Sequence, residues 1–109
     1  MADFRIDSHD RDGVTHVALA GEFDLAAIEQ FESAIGKLEA EQPPAMVIDL
    51  SELRFMDSSG LRALVMADQR ARNAGRRLAI VPGPPPIRHV FEITQLEGRL
   101  DLIESPSAL

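Results

Sequence analysis

The chain has 109 residues, 45% of them hydrophobic, a formal charge of −7, and no cysteine, tryptophan or tyrosine. That length supports one core of ordinary size, and the apolar content excludes a disordered chain. The missing cysteine excludes disulfides, thiolate metal sites and thiol nucleophiles. An acidic chain without Trp or Tyr also argues against nucleic-acid binding, which begins with phosphate neutralisation.

No apolar run approaches the roughly 18 residues needed to cross a bilayer, and an acidic chain without a basic amphipathic helix is not expected to bind a membrane surface. The opening MADFRID lacks the apolar core of a signal peptide, and the cytoplasm is the expected compartment. Charge is unevenly spread. Residues 1–60 hold 13 acids against 4 bases, residues 61–77 hold 5 bases against 1 acid, and residues 78–109 hold 2 bases against 4 acids. The basic stretch has two readings: a patch for an acidic partner, or arginines (Arg70, Arg72, Arg76, Arg77) that complement the negative end of a helix.

In chain order, Phe4-Arg5-Ile6 alternates as an edge strand does. Asp10-Arg11-Asp12-Gly13 is a turn, and Val14–Ala20 is a second strand, giving a hairpin. Gly21-Glu22-Phe23-Asp24 ends that strand, with Asp24 placed to cap a helix over 25–41 whose inner face is Leu25, Ile28, Phe31, Ile35 and Leu38. Pro43-Pro44 stops it. Met46–Leu50 reads as a buried central strand. From Leu61 the period changes to that of a helix, through Leu64 and Val65, ending near Asn73-Ala74-Gly75 with Gly75 at the left-handed position. Leu78–Val81 is another apolar strand. Pro82-Gly83-Pro84-Pro85-Pro86 is a stiff loop whose last proline can open a helix, with Ile87, Val90, Phe91 and Thr94 inward and Gly98 closing it. Leu100–Ile103 reads as a last strand and 105–109 as a frayed tail.

The order β-β-α-β-α-β-α-β predicts an α/β layered domain over 1–109, with a mixed sheet of about five strands and helices packed on it. Its organising stretch is MVIDLSELRFMDSSGLRALVMA, 46–67. There a buried strand runs through a short loop into a helix whose start gathers Asp57, Ser58, Ser59 and Gly60. Helix starts expose unpaired N–H groups and the positive end of the peptide dipole, so this cluster suits a covalent phosphate or a partner's contact.

Taken singly, each residue has a plainer reading too. Ser58 could be an ordinary helix cap, and Asp57 could cap, align the serine or touch a partner. Ser59 reads as a structural donor, Asp24 as a cap with partner contact secondary. Gly60 would either admit a partner's backbone or be small because packing requires it. Met66 is either an exposed contact or a packing residue. His9, His16 and His89 lack metal-ligand spacing. The glycines form neither GxGxxG nor a phosphate loop, and no cofactor is expected. Neither serine has the glycine two residues earlier that a nucleophile elbow requires, which disfavours a serine-nucleophile enzyme.

Across nearly its whole length the sequence resembles the STAS family, specifically its stand-alone anti-sigma factor antagonists. The resemblance rests on GEFD at 21–24 and on the DLS-x-L-x-F-x-DSSGL pattern at 49–61. It implies a STAS-like fold and a non-enzymatic partner of an anti-sigma factor with serine-kinase activity. Binding would release a sigma factor, phosphorylation of Ser58 would break the complex, and a phosphatase would reset it. It further implies partner contacts at Asp24, Asp57, Ser58, Ser59 and Gly60. The alternative within the same resemblance is a scaffold or lipid-transport subunit with no phosphorylation cycle.

Overall fold

Turn chemistry starts the fold. Asp12 and Gly13 both have positive φ (53° and 80°), the geometry of a two-residue hairpin turn matched to strand twist. They join β1 (Phe4–Arg11) to β2 (Val14–Phe23) in antiparallel register, with His9 opposite His16. The computed structural model describes residues 3–96 and 98–109. After β2 come a 3-10 turn (Leu25–Ala27), α1 (Ile28–Glu39), β3 (Ala45–Met56), α2 (Ser58–Asn73), β4 (Arg77–Val81), α3 (Pro85–Ile93) and a final 3-10 turn (Pro106–Ala108).

The strands form one mixed sheet, ordered β1-β2-β3-β4, in which β2–β3 and β3–β4 are parallel. Because β2 and β3 run the same way and each leads into a helical segment, both helical starts rise from one edge of the sheet. The predicted fifth strand at 100–103 is reduced to a bridge between Leu102 and Ile80. Ile80 N–H donates to Asp101 O and Ile103 N–H to Ile80 O, so pairing runs for one residue and stops.

Other expectations need adjusting: β1 runs on to Arg11 and β2 to Phe23, past the bounds read from the sequence, and Pro106–Ala108 forms a 3-10 turn where a frayed tail is predicted. The strand read at Met46–Leu50 continues to Met56, because β2 keeps pairing with it as far as Phe23–Met56. Against β2, β3 carries an extra residue between Asp49 and Glu52 and another between Leu53 and Phe55, which breaks its in-out alternation and hides the strand from a period-2 reading. The helix expected over 25–41 is a 3-10 turn followed by α1, which ends at Glu39. α3 ends at Ile93, well before Gly98. Thr94 Oγ1 donates to Val90 O at 2.7 Å, and Gln95 takes the left-handed conformation with φ 60°. Gly75 has φ 70° after α2, as expected.

The core is built from the inner faces of β2 and β3, with Leu19 and Phe23 from β2 and Ile48 and Leu50 from β3. Phe31 and Ile35 of α1, Leu64 of α2, and Ile87 and Phe91 of α3 meet them, all buried. Phe23 sits between Phe4 and Phe31, at centroid separations of 5.2 and 4.8 Å. Truncating such a fully buried ring removes apolar burial and leaves a cavity. Phe23→Ala should therefore cost roughly 3–5 kcal/mol of unfolding free energy in urea titration; a loss below about 1 kcal/mol would contradict this central place.

On the opposite side of the β1–β2 pair, His9 and His16 stack at 5.2 Å with rings 9° from parallel. Burial, then Arg11, then His9 push the His16 pKa down from its ordinary 6.5, while Asp12 and Asp49 oppose this in part. Between the depressed folded value and 6.5 the unfolded chain holds more protons, so stability rises with pH there. The stabilisation is present above 6.5 and lost as pH falls toward the folded value. Melting temperature should therefore drop more steeply from pH 7.5 to 5 for the native chain than for His16→Phe, and parallel curves would refute the assignment.

Candidate functional site

The edge where β2 and β3 end carries two capping carboxylates. Asp24 follows β2, and its Oδ1 accepts from Ala26 N–H at 3.1 Å. Asp57 follows β3 in extended conformation (φ −100°, ψ −173°), and its Oδ1 accepts from Ser59 N–H at 2.9 Å and Gly60 N–H at 3.0 Å. An extended backbone with a short acceptor side chain is what an N-cap needs. The cap of α2 is thus Asp57. Ser58, one residue later, is the first helical residue and its side chain is exposed. The cap reading of Ser58 gives way to this arrangement.

Gly60 brings the two segments together. A Cβ on it would collide with the carbonyl oxygen of Phe23 and press on the Phe23 ring and the Met56 side chain. Of its two sequence readings, packing is the one this geometry accounts for. The Asp57 N–H also donates to Phe23 O at 3.4 Å. Close approach of the start of α2 to the end of β2 therefore sets Asp24, next to Phe23, beside the Asp57–Gly60 turn. The five residues singled out in the sequence share one edge of the sheet.

The structure adds exposed apolar residues beyond Asp24 and the Asp57–Gly60 cluster. Leu25, which helical periodicity predicts on an inner face, is 73% exposed. Its turn is 3-10, with three residues per turn instead of 3.6, so helical phase does not carry back to it. Met66 is 43% exposed and Phe55 49%, which makes Met66 a surface residue. Leu25 and Met66 line a groove of about 390 Å³ between α1 and α2, together with Ser59, Arg62 and Ala63, and with Arg70 and Glu32 at its charged side. A single apolar residue exposed on a surface needs no explanation, but apolar side chains gathered beside a groove point to contact. Charge pairing could have suggested Arg70, whose Nε donates to Glu39 Oε2 at 2.9 Å and whose Nη2 lies 3.4 Å from Glu32. These bonds tie α2 to α1 along the groove.

Chemically, the edge offers an exposed hydroxyl at a helix start, a neighbouring carboxylate already committed to the backbone, and an apolar groove alongside. No helix is long and apolar enough to cross a membrane among the described residues.

The same architecture and motif define a known class of protein. Residues 5–107 match the STAS domain, and the chain belongs to the STAS-domain family. It is similar to the anti-sigma-F factor antagonist RsfB of Mycobacterium tuberculosis, 39% identical over 61 residues that make up 56% of this chain and 50% of that protein. This chain thus spans about half the length of that relative. The anti-sigma-B factor antagonist of Listeria monocytogenes is 30% identical over 88 residues, 81% of this chain and 75% of that protein. A crystal structure of an anti-sigma factor antagonist from Mycobacterium paratuberculosis superposes with a TM-score of 0.88 at 30% identity, covering 97% of this chain and 90% of that one.

Losing the Asp57 carboxylate leaves the Ser59 and Gly60 N–H groups without their acceptor. Asp57→Ala should destabilise the fold by roughly 0.5–2 kcal/mol and Asp57→Asn by much less, as read from urea denaturation midpoints. Gly60→Ala should also destabilise, by roughly 1–3 kcal/mol, through crowding against Phe23. A neutral Gly60→Ala would mean the two segments are not held this closely.

Proposed function

We propose that this chain acts, through a single STAS domain in the cytoplasm, as an anti-sigma factor antagonist. It binds an anti-sigma factor that is also a serine kinase and thereby frees a sigma factor. Phosphorylation of Ser58 by that kinase ends the complex, and a phosphatase restores the unmodified form. Family membership and relatives named as anti-sigma factor antagonists support the first part. The observation that carries the second is the exposed Ser58 hydroxyl on the first residue of α2, beside a cap that holds the helix without it.

The chemistry asked of this chain is small. Ser58 Oγ attacks the γ-phosphorus of ATP, the bond to the ADP oxygen breaks, and the hydroxyl proton passes to a base on the kinase. The phosphatase then uses water to release inorganic phosphate and return the hydroxyl. This chain contributes an accessible nucleophile and a shape to be held: Asp24, Asp57, Ser59 and Gly60 form the contact around Ser58. The Asp57 carboxylate is occupied with backbone N–H groups, and its role is to hold the turn.

Magnitudes separate the effect on folding from the effect on binding. Phosphate adds about −1.5 to −2 charges. At a helix start such charge is stabilised by roughly 0.3–1 kcal/mol, while a like charge pressed against an interface costs several kcal/mol. Since Ser58 is exposed and makes no part of the core, modification should leave the fold intact and weaken the complex.

Calorimetric binding to the cognate anti-sigma factor should give near-native affinity for Ser58→Ala and at least tenfold weaker binding for Ser58→Asp. Equal affinities for all three proteins would remove Ser58 from the switch. Incubation with the candidate kinase and ATP, followed by peptide mass spectrometry, should place phosphate on Ser58; an unmodified peptide with every cognate kinase would favour a scaffold or lipid-transport role instead.

A further inference from the structure

Once Ser58 carries a phosphate, that group needs partners, and the helix start has few left to give. The N–H groups of Ser59 and Gly60 are already bonded to Asp57 Oδ1, and the same carboxylate repels an added anion. Two other arginines of the 46–73 segment are engaged elsewhere. Arg54 pairs with Asp3 and Glu22, and Arg70 with Glu39 and Glu32. Arg62 differs: it is exposed, and among the described residues it takes part in no ion pair.

Arg62 stands four residues after Ser58 on α2. Helical side chains lean toward the N-terminus, so a residue at i+4 reaches back over the one at i. The same helix shows this geometry with the same chemistry. Asp68 and Arg72 have the identical spacing and order, and Arg72 Nε donates to Asp68 Oδ2 at 2.8 Å. A phosphoserine presents its anion on a short side chain as aspartate does, with more charge and more acceptor oxygens.

We propose that Arg62 reads the state of Ser58: when Ser58 is phosphorylated, the guanidinium bridges back one helical turn onto the phosphate and leaves the α1–α2 groove. In the unmodified protein Arg62 lines that groove beside Leu25 and Met66, where it is available to a carboxylate of the partner flanked by apolar side chains. Phosphate would therefore act twice, adding negative charge at the contact and withdrawing a positive one from the groove. This rests on the reading of Ser58 as the phosphoacceptor and deepens it by naming the residue that responds.

The test uses the full chain with phosphoserine installed at position 58 during synthesis, so that no kinase is needed. Phosphorus NMR titration at low salt should place the second phosphate ionisation roughly 0.3 pH unit or more lower with Arg62 present than in Arg62→Gln. Added salt should shrink the difference. An identical titration in the two proteins overturns the bridge. In binding to the anti-sigma factor, phosphorylation should weaken Arg62→Gln at least about threefold less than it weakens the native chain; an equal loss in both overturns the link to the groove. A kinase that leaves Ser58 untouched would count against the phosphorylation cycle and leave the titration result standing, so the two failures are distinguishable.

Discussion

One carboxylate sets the geometry of the functional edge. By accepting from Ser59 and Gly60, Asp57 ends β3 and starts α2 within a single residue, and its own N–H reaches back to the carbonyl of Phe23. Gly60 makes the approach possible, since any larger side chain would meet that carbonyl. Phe23 in turn is held between Phe4 and Phe31 in the core. The turn is therefore anchored to the most deeply buried part of the protein, although its outer side is open to solvent.

This division of labour suits the switch proposed for Ser58. Residues that secure the turn (Asp57, Gly60, Phe23) face inward or bond the backbone, and the hydroxyl that would be modified stands apart from them. A charge can be added at Ser58 without breaking a structural bond. An interface pressed against the same point has no such tolerance, because desolvated like charges are far more costly than hydrated ones. The α1–α2 groove is steadied independently, by Arg70 reaching across to Glu39, whose side chain is only 17% exposed. Leu25 and Met66 thus present their apolar surface on a fixed frame.

The sheet explains why two distant stretches of sequence serve one surface. Parallel pairing of β2 with β3 makes the two strands end at the same edge, and open α/β sheets gather their binding residues at the carboxyl ends of the strands. GEFD and DSSG are 33 positions apart in the chain, counted from Asp24 to Asp57, yet each supplies an N-cap at that edge. The hairpin at the other end has no equivalent role in the site. Its stacked His9 and His16 instead make the β1–β2 pair sensitive to protonation.

How much of this was legible in the sequence follows from how local each feature is. The Asp12-Gly13 turn, the prolines after α1, the left-handed Gly75 and the capping potential of Asp24 and Asp57 depend on a few neighbouring residues, and all were readable without a partner strand. So were the mixed α/β order and the contiguous Asp57-Ser58-Ser59-Gly60 cluster. Pairing and packing decided the rest. Bulges within β3 masked its length to Met56, and a single bridge replaced the strand expected at 100–103. A tight 3-10 turn moved Leu25 from the core to the surface. Which side chains face solvent at the edge, and which arginines remain unpaired there, depends on contacts between segments far apart in the chain. Backbone propensity determined the elements and the motif; strand register and core packing determined the surface they make together.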